Sequence, residues 1–124
     1  MLADIHRVDI TDDDVSRLRE QMRTMPAHPD VEDGLTALRD NGFRLVTLTN
    51  SPHHPGVPTP LDNAGLGGFF EQQLSVESCR AFKPSPSVYR YACQTLGVAP
   101  ADCMMVAAHA VSYTHLTLPT TPYV

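Results

Sequence analysis

Three stretches of the chain carry polar or ionisable residues at points where predicted strands end, which is where open α/β sheets carry their chemistry. Thr49 and Asn50 follow an apolar, β-branched run. Their hydroxyl and amide groups are suited to orienting an oxyanion or a halide ion. Lys83 is the only lysine and stands just before a predicted helix, where its ammonium group could pair with a carboxylate or an anionic substrate. The third stretch follows Val106 and includes His109.

Helices and strands are predicted to alternate around these residues. A capping box that begins at Thr11 predicts a first helix to about Thr24, and Asp30 begins a second helix that stops at Asn41-Gly42. The remaining predicted elements are strands at 43–50, 73–76 and 103–107, a proline-rich loop at 51–60, a short turn or helix at 61–64, and a helix from Ser85-Pro86 to Leu96. This order predicts an α/β fold with part of a doubly wound, Rossmann-like parallel sheet.

Composition and charge narrow the classes of function. The chain has 124 residues and a formal net charge of −5, so it is one small acidic domain or part of one, and nucleic-acid binding is not expected. The 42% of hydrophobic residues can support a buried core. With no apolar run of membrane-span length and no signal-peptide pattern, we expect no membrane association and a cytoplasmic location. The three cysteines match no zinc pattern and are expected to be reduced, mostly buried thiols.

Several of these segments resemble motifs of the haloacid dehalogenase superfamily. Residues 45–50 resemble its second motif, a hydrophobic strand that ends in Thr or Ser, and residues 80–89 resemble its third, which contains the lysine. Residues 61–75 are similar to the segment that connects them. The resemblance implies a partial superfamily core domain over 26–110, preceded at 1–25 by a remnant of the helical cap domain.

Within the superfamily, the sequence most resembles the type II (S)-2-haloacid dehalogenases. That resemblance implies a small-molecule 2-haloacid substrate and no cofactor: an aspartate displaces halide from C2, and water then hydrolyses the ester. The aspartate is expected to precede Met1. By resemblance, Thr49 binds the substrate carboxylate or orients the nucleophile, Asn50 helps to hold the halide, and Lys83 pairs with the nucleophile. Tyr89 supports that site, or else it only packs the helix.

The stretch from Ala107 to Ala110 bears on the choice between dehalogenase and phosphatase. Magnesium-dependent members of the superfamily carry acidic residues here because a hard cation needs carboxylate ligands, whereas His109 is the only ionisable residue of this stretch. A metal-free dehalogenase is therefore favoured, with His109 as a helper in ester hydrolysis or simply a loop histidine. No metal site is predicted at the adjacent His53 and His54. The alternatives are a magnesium-dependent phosphatase of the superfamily, a receiver-like module, and a non-catalytic domain.

The two ends of the chain also carry expectations. Ten residues from Val111 match one reading frame of a transposase sequencing adapter, so residues 111–124 are expected to be a non-native tail without function. The amino end is expected to be internal to its natural protein, because doubly wound domains normally open with a strand. An apolar stripe on the first helix is expected to pack on the core, with a homodimer of the full-length parent as the alternative. The stripe consists of Val15, Leu18, Met22 and Met25.

Overall fold

The structure is a computed structural model, and it describes residues 9–107. The helices are α1 (Asp12–Arg23), α2 (Val31–Asp40), α3 (Pro60–Asn63) and α4 (Pro86–Leu96), and the strands are β1 (Val46–Thr49) and β2 (Gln72–Ser75). Short 3₁₀ helices lie at Gly67–Phe69, Val76–Cys79 and Pro100–Asp102. The described residues form two compact units, one from 9–45 with 56–71 and the other from 46–55 with 72–107. No helix in this part of the chain is both long and apolar enough to cross a membrane.

Strands β1 and β2 pair in parallel, with Val46 opposite Gln72 and Thr49 opposite Ser75. Parallel neighbours must run in the same direction, so their carboxyl ends lie at the same edge of the sheet. The loops that follow Thr49 and Ser75 therefore begin side by side. This arrangement confirms the predicted α/β class and brings two of the sequence motifs to one edge.

The helix boundaries follow the predicted capping signals. The backbone N–H of Thr11 donates to the Asp14 carboxylate at 3.0 Å, and the N–H of Asp14 donates to the Thr11 hydroxyl at 3.2 Å, which completes the capping box of α1. Helix α2 ends at Asp40 with Asn41 as its C-cap, and Gly42 follows at a φ of +82°, a conformation that glycine adopts without steric cost. The predicted bounds of both helices are confirmed, whereas the Asp30 side chain makes no capping hydrogen bond at the start of α2.

Helix α4 carries the main buried face of the second unit. It begins at Pro86, and Gly97 closes it in the left-handed conformation. Its buried residues are Val88, Tyr89 and Cys93, and the other buried residues of the unit are Leu74, Ser75 and Val76. The polar end of β2 is therefore continuous with an apolar core, which holds the carboxyl edge of the sheet in place.

The predicted third strand at residues 103–107 is wrong for the described part of the chain, where β1 and β2 make up the whole sheet. The backbone of Cys103 is extended, but Met104 is 61% and Val106 is 83% exposed. A strand exists only when its backbone groups pair with a neighbouring strand, and apolar residues alone do not supply that neighbour.

The prediction that the apolar stripe of α1 packs on the core is also wrong within residues 9–107. No residue of α1 is buried, and Leu18 and Met22 are 58% and 62% exposed. The helix instead meets its own unit at its carboxyl end, where the Asn63 side chain donates to the Arg23 carbonyl at 3.0 Å. Helical periodicity identifies an apolar face, but it does not identify what covers that face.

Truncation of Val88 should destabilise the chain, because this side chain is completely buried on α4. We expect Val88→Ala to lower the free energy of unfolding by about 2 kcal/mol, from lost apolar burial and the cavity left behind. The matched Val106→Ala removes the same atoms from a side chain that is 83% exposed and should change the free energy by less than about 0.5 kcal/mol. Urea unfolding of the three proteins measures both effects, and equal shifts would contradict the assignment of the core.

An ion pair in the first unit should make stability depend on pH. Arg44 donates from Nε and from its terminal nitrogen to the two Glu71 carboxylate oxygens at 2.8 and 2.6 Å, and these hydrogen bonds hold the pKa of Glu71 below its ordinary value of 4.5. A lowered folded-state pKa stabilises the fold at pH values above the unfolded-state pKa, and this contribution is lost as the pH falls through the folded-state pKa. We therefore expect Arg44→Met to lower the melting temperature at pH 6 and to lose that effect under acid conditions.

Melting temperatures measured from pH 6 downwards check this expectation. Glu71→Gln serves as the companion variant, because it removes the titrating carboxyl and should abolish the pH dependence of the Arg44→Met effect in the double mutant. An Arg44→Met effect that is constant over the acid range would show that the ion pair does not contribute.

Candidate active site

The candidate site begins where β1 ends. Thr49 is the last residue of the strand and is half-buried, whereas Asn50 is exposed. The Thr49 hydroxyl accepts the backbone N–H of Ser51 at 3.0 Å, which fixes the turn that leaves the strand. A hydroxyl that accepts one hydrogen bond still has a proton to donate. This position therefore offers a donor at the edge of the sheet.

Lys83 is held at the same edge by two hydrogen bonds that it donates to residues at the end of β1. Its backbone N–H donates to Asn50 Oδ1 at 2.9 Å, and its Nζ donates to the Leu48 carbonyl at 2.6 Å. The structure thus brings Thr49, Asn50 and Lys83 together at the end of β1, as predicted. Because Oδ1 of Asn50 is occupied by the backbone of Lys83, the amide nitrogen remains the donor that Asn50 can present to a ligand.

The charge of Lys83 has no carboxylate partner among residues 9–107. The ion pairs in this part of the chain all use arginines, and the hydrogen bond from Nζ goes to a neutral carbonyl. Lys83 is half-buried, and a partly desolvated ammonium gains most from a nearby negative charge. Together with the donors of Thr49 and Asn50, it makes this edge suited to an anion.

The loop after β1 is tied to the end of β2 by residues that the sequence analysis did not select. The buried Ser75 donates from its hydroxyl to the Ser51 carbonyl at 2.9 Å, and the Glu77 carboxylate accepts the backbone N–H of His53 at 3.0 Å. Like Thr49, Ser75 is the last residue of its strand, but only Leu74 of the three strand residues before it is apolar, so the signal that identified Thr49 was weak at Ser75. Within the described ranges, no cluster of three or more His, Cys, Asp or Glu side chains is placed to hold a metal ion.

Two further predicted site residues have different outcomes. Tyr89 lies on the buried face of α4, and burial raises the pKa of its phenol. Its support of the site therefore stays a prediction beside the packing role that this burial gives it. His109 lies outside the described residues, and so does most of the stretch from Ala107 to Ala110.

Comparison with known proteins identifies the family to which the chain belongs. A family model described as haloacid dehalogenase-like hydrolase matches residues 3–107. The chain is 30% identical over 103 residues to haloacetate dehalogenase H-2 of Moraxella sp. (strain B), which covers 83% of this chain and 46% of that protein. It is also 40% identical over 83 residues to a plasmid phosphoglycolate phosphatase of Cupriavidus necator, which covers 67% of this chain and 36% of that protein.

Solved structures agree with this result. The crystal structure of an L-2-haloacid dehalogenase matches with a TM-score of 0.67 at 27% identity, over 80% of this chain and 43% of that one. The chain therefore spans less than half the length of the relatives it matches. The structural match confirms the Rossmann-type class, and the family match confirms the resemblance read from the sequence. The chain belongs to the haloacid dehalogenase-like hydrolases.

Proposed function

We propose that this chain is part of a hydrolytic (S)-2-haloacid dehalogenase that cleaves the carbon–halogen bond of 2-haloalkanoic acids through an aspartyl-ester intermediate. The nucleophilic aspartate of the proposed enzyme lies outside residues 1–124. The observation that carries the proposal is the Lys83 ammonium, held at the end of β1 beside Asn50 without a carboxylate partner in the described part. Its position suits it to a carboxylate nucleophile.

The proposed reaction has two balanced steps. In the first, an oxygen of the aspartate carboxylate forms a bond to C2 of the substrate, and the halide leaves with the electron pair of the broken carbon–halogen bond. In the second, water adds to the ester carbonyl, the 2-hydroxy acid departs, and the carboxylate is regenerated with release of one proton. The first step needs a held nucleophile and a stabilised leaving anion, and the second needs a positioned water.

The scheme gives each candidate residue a role. Lys83 holds the nucleophilic carboxylate, the amide nitrogen of Asn50 donates to the departing halide, and the Thr49 hydroxyl binds the substrate carboxylate or orients the nucleophile. Tyr89 supports Lys83 from α4. His109 assists the attack of water on the ester. A small 2-haloacid is the only partner that the scheme needs, and no cofactor enters it.

A magnesium-dependent phosphatase of the same superfamily is the second candidate. The 40% identity to a phosphoglycolate phosphatase favours it, and an edge built for an anion also suits a phosphoryl group. The sequence from Ala107 to Ala110 favours the dehalogenase instead, because it offers no carboxylate for a cation. The two candidates thus differ in the atom that leaves and in their need for magnesium.

Product analysis tests the proposal on the enzyme expressed from the complete reading frame around this sequence. Chloride release from (S)-2-chloropropionate and phosphate release from phosphoglycolate are measured, each with added magnesium and with a chelator. We expect chloride release that the chelator does not change, with the (R) enantiomer as the inactive control. Magnesium-dependent phosphate release without chloride release would establish the phosphatase, and release of neither product would favour a non-catalytic domain.

The same proposal includes a division of the chain into parts. We assign residues 1–25 to the remnant of a cap domain, 26–110 to the partial core domain and 111–124 to the non-native tail, and we assign homodimerisation to the full-length parent. Sequencing the gene through both ends from its source DNA tests the division. A natural frame that departs from this sequence near Ala110 supports it, and one that continues to Val124 contradicts it.

A further inference from the structure

Two of the three cysteines are in contact in the second unit. Cys93 Sγ and Cys103 Sγ are 3.9 Å apart, and both cysteines are free thiols. Cys93 is buried on α4, whereas Cys103 is half-buried just after the 3₁₀ helix Pro100–Asp102. The remaining cysteine, Cys79, directs its Sγ to the Val76 carbonyl at 3.0 Å.

We propose that Cys93 and Cys103 are a modification site, at which a peroxide oxidises the two thiols to a reversible disulfide in the folded chain. The Cys103 thiolate attacks hydrogen peroxide, so that a sulfenic acid forms on Cys103 and hydroxide leaves. The Cys93 thiolate then attacks that sulfur and displaces a second hydroxide. In total, two thiols and one hydrogen peroxide give one disulfide and two waters.

The local backbone already brings the two sulfurs together. Nine residues separate them, and the chain reverses between them through Gly97 at a φ of +64°. The Val98 N–H donates to the Cys93 carbonyl at 3.1 Å, and the Cys103 N–H donates to the Pro100 carbonyl at 3.2 Å. A disulfide requires the sulfurs to approach to about 2.05 Å, so rotation of the side chains must close a gap of roughly 2 Å.

The two sulfurs differ in how they meet an oxidant. Cys103 is more exposed than Cys93, so a peroxide from solvent reaches the Cys103 sulfur first. Burial raises the pKa of the Cys93 thiol, which disfavours it as the first thiolate to react. Cys93 therefore resolves the sulfenic acid on Cys103. The disulfide would tie Cys103, which follows the 3₁₀ helix Pro100–Asp102, to α4.

Peptide mapping of the full chain tests the site. The folded protein is treated with hydrogen peroxide, capped with a thiol-alkylating reagent, and cut with trypsin and with a protease that cleaves before aspartate. This digest places the three cysteines on separate peptides, 62–80, 91–101 and 102–124. We expect the 91–101 and 102–124 peptides to be cross-linked at least about tenfold more often than either is to 62–80, and a dithiol to separate them.

Three comparisons make the result decisive. Cys103→Ser should abolish the cross-link, and Cys79→Ser should leave it unchanged. The wild-type chain oxidised in concentrated urea should lose the preference, because the fold no longer holds the pair together, and this comparison needs no variant to fold. Equal cross-linking of Cys79, cross-links between two chains, or the same pattern in urea would overturn the proposal.

Discussion

Replacing Lys83 with methionine in the complete enzyme is expected to lower kcat/KM for (S)-2-chloropropionate by roughly 10³-fold or more. Loss of one preorganised donor at a reacting centre already costs about 10²- to 10³-fold, and Lys83 also supplies the positive charge for the nucleophile. Nζ donates to the Leu48 carbonyl, but the bond to Asn50 comes from the backbone and survives the substitution. The fold should therefore be retained, and steady-state chloride release measures the loss.

Two controls separate the site from a general effect of charge. Arg90→Met removes a positive charge from an exposed position on α4, and its kcat/KM should stay near that of the wild type. Lys83→Arg keeps the charge but changes its shape, so it should recover only part of the activity. Activity of Lys83→Met within a few-fold of wild type would show that the ammonium does not serve the reaction.

Asn50→Asp is expected to reduce kcat/KM by about 10²-fold, the second largest effect. The aspartate keeps an oxygen that can accept the Lys83 N–H, which Asn50 Oδ1 accepts at 2.9 Å, so the loop stays in place. It loses the amide donor and adds a negative charge that repels an anionic substrate and a departing halide. Kinetics of chloride release again give the measurement, and Gln94→Glu is the control, since it adds the same charge at an exposed helical position.

Asn50→Ala distinguishes the two tasks of this side chain. If Asn50 donates to the halide, both Asn50→Asp and Asn50→Ala should be impaired, because both lack the amide donor. Full activity of Asn50→Asp beside an impaired Asn50→Ala would mean that Asn50 acts only by positioning the Lys83 backbone.

The grouping of Thr49, Asn50 and Lys83 could be predicted because it depends on a local signal and a general rule. Thr49 and Asn50 follow an apolar run, Lys83 stands just before a predicted helix, and parallel strands bring their carboxyl ends to one edge. The hydrogen bond from Ser75 to Ser51 could not be predicted in the same way, because sequence does not say which loop a polar strand end will meet. Only the register of β1 and β2 decides that.

The predictions that were wrong share a physical cause. Residues 103–107 have the apolar, strand-like pattern of a buried strand, but among the described residues the sheet consists of β1 and β2 alone. The face of α1 that carries Leu18 and Met22 has clear helical periodicity, yet it is exposed. In both cases the local pattern set the conformation or the face, and a tertiary partner determines burial. The contact of Cys93 with Cys103 is the converse, because the fold creates a pair that no cysteine motif indicated.

Trapping the intermediate tests the central claim most directly. The complete enzyme is mixed with (S)-2-chloropropionate and quenched within the first turnover. Mass spectrometry then gives the intact mass of the protein, and the released chloride is quantified in the same sample. We expect one carboxyethyl adduct on an aspartate for each chloride released, because the ester forms as the halide leaves. Chloride release without a protein adduct, or a phosphoryl adduct formed only from phosphoglycolate, would contradict the proposed dehalogenase.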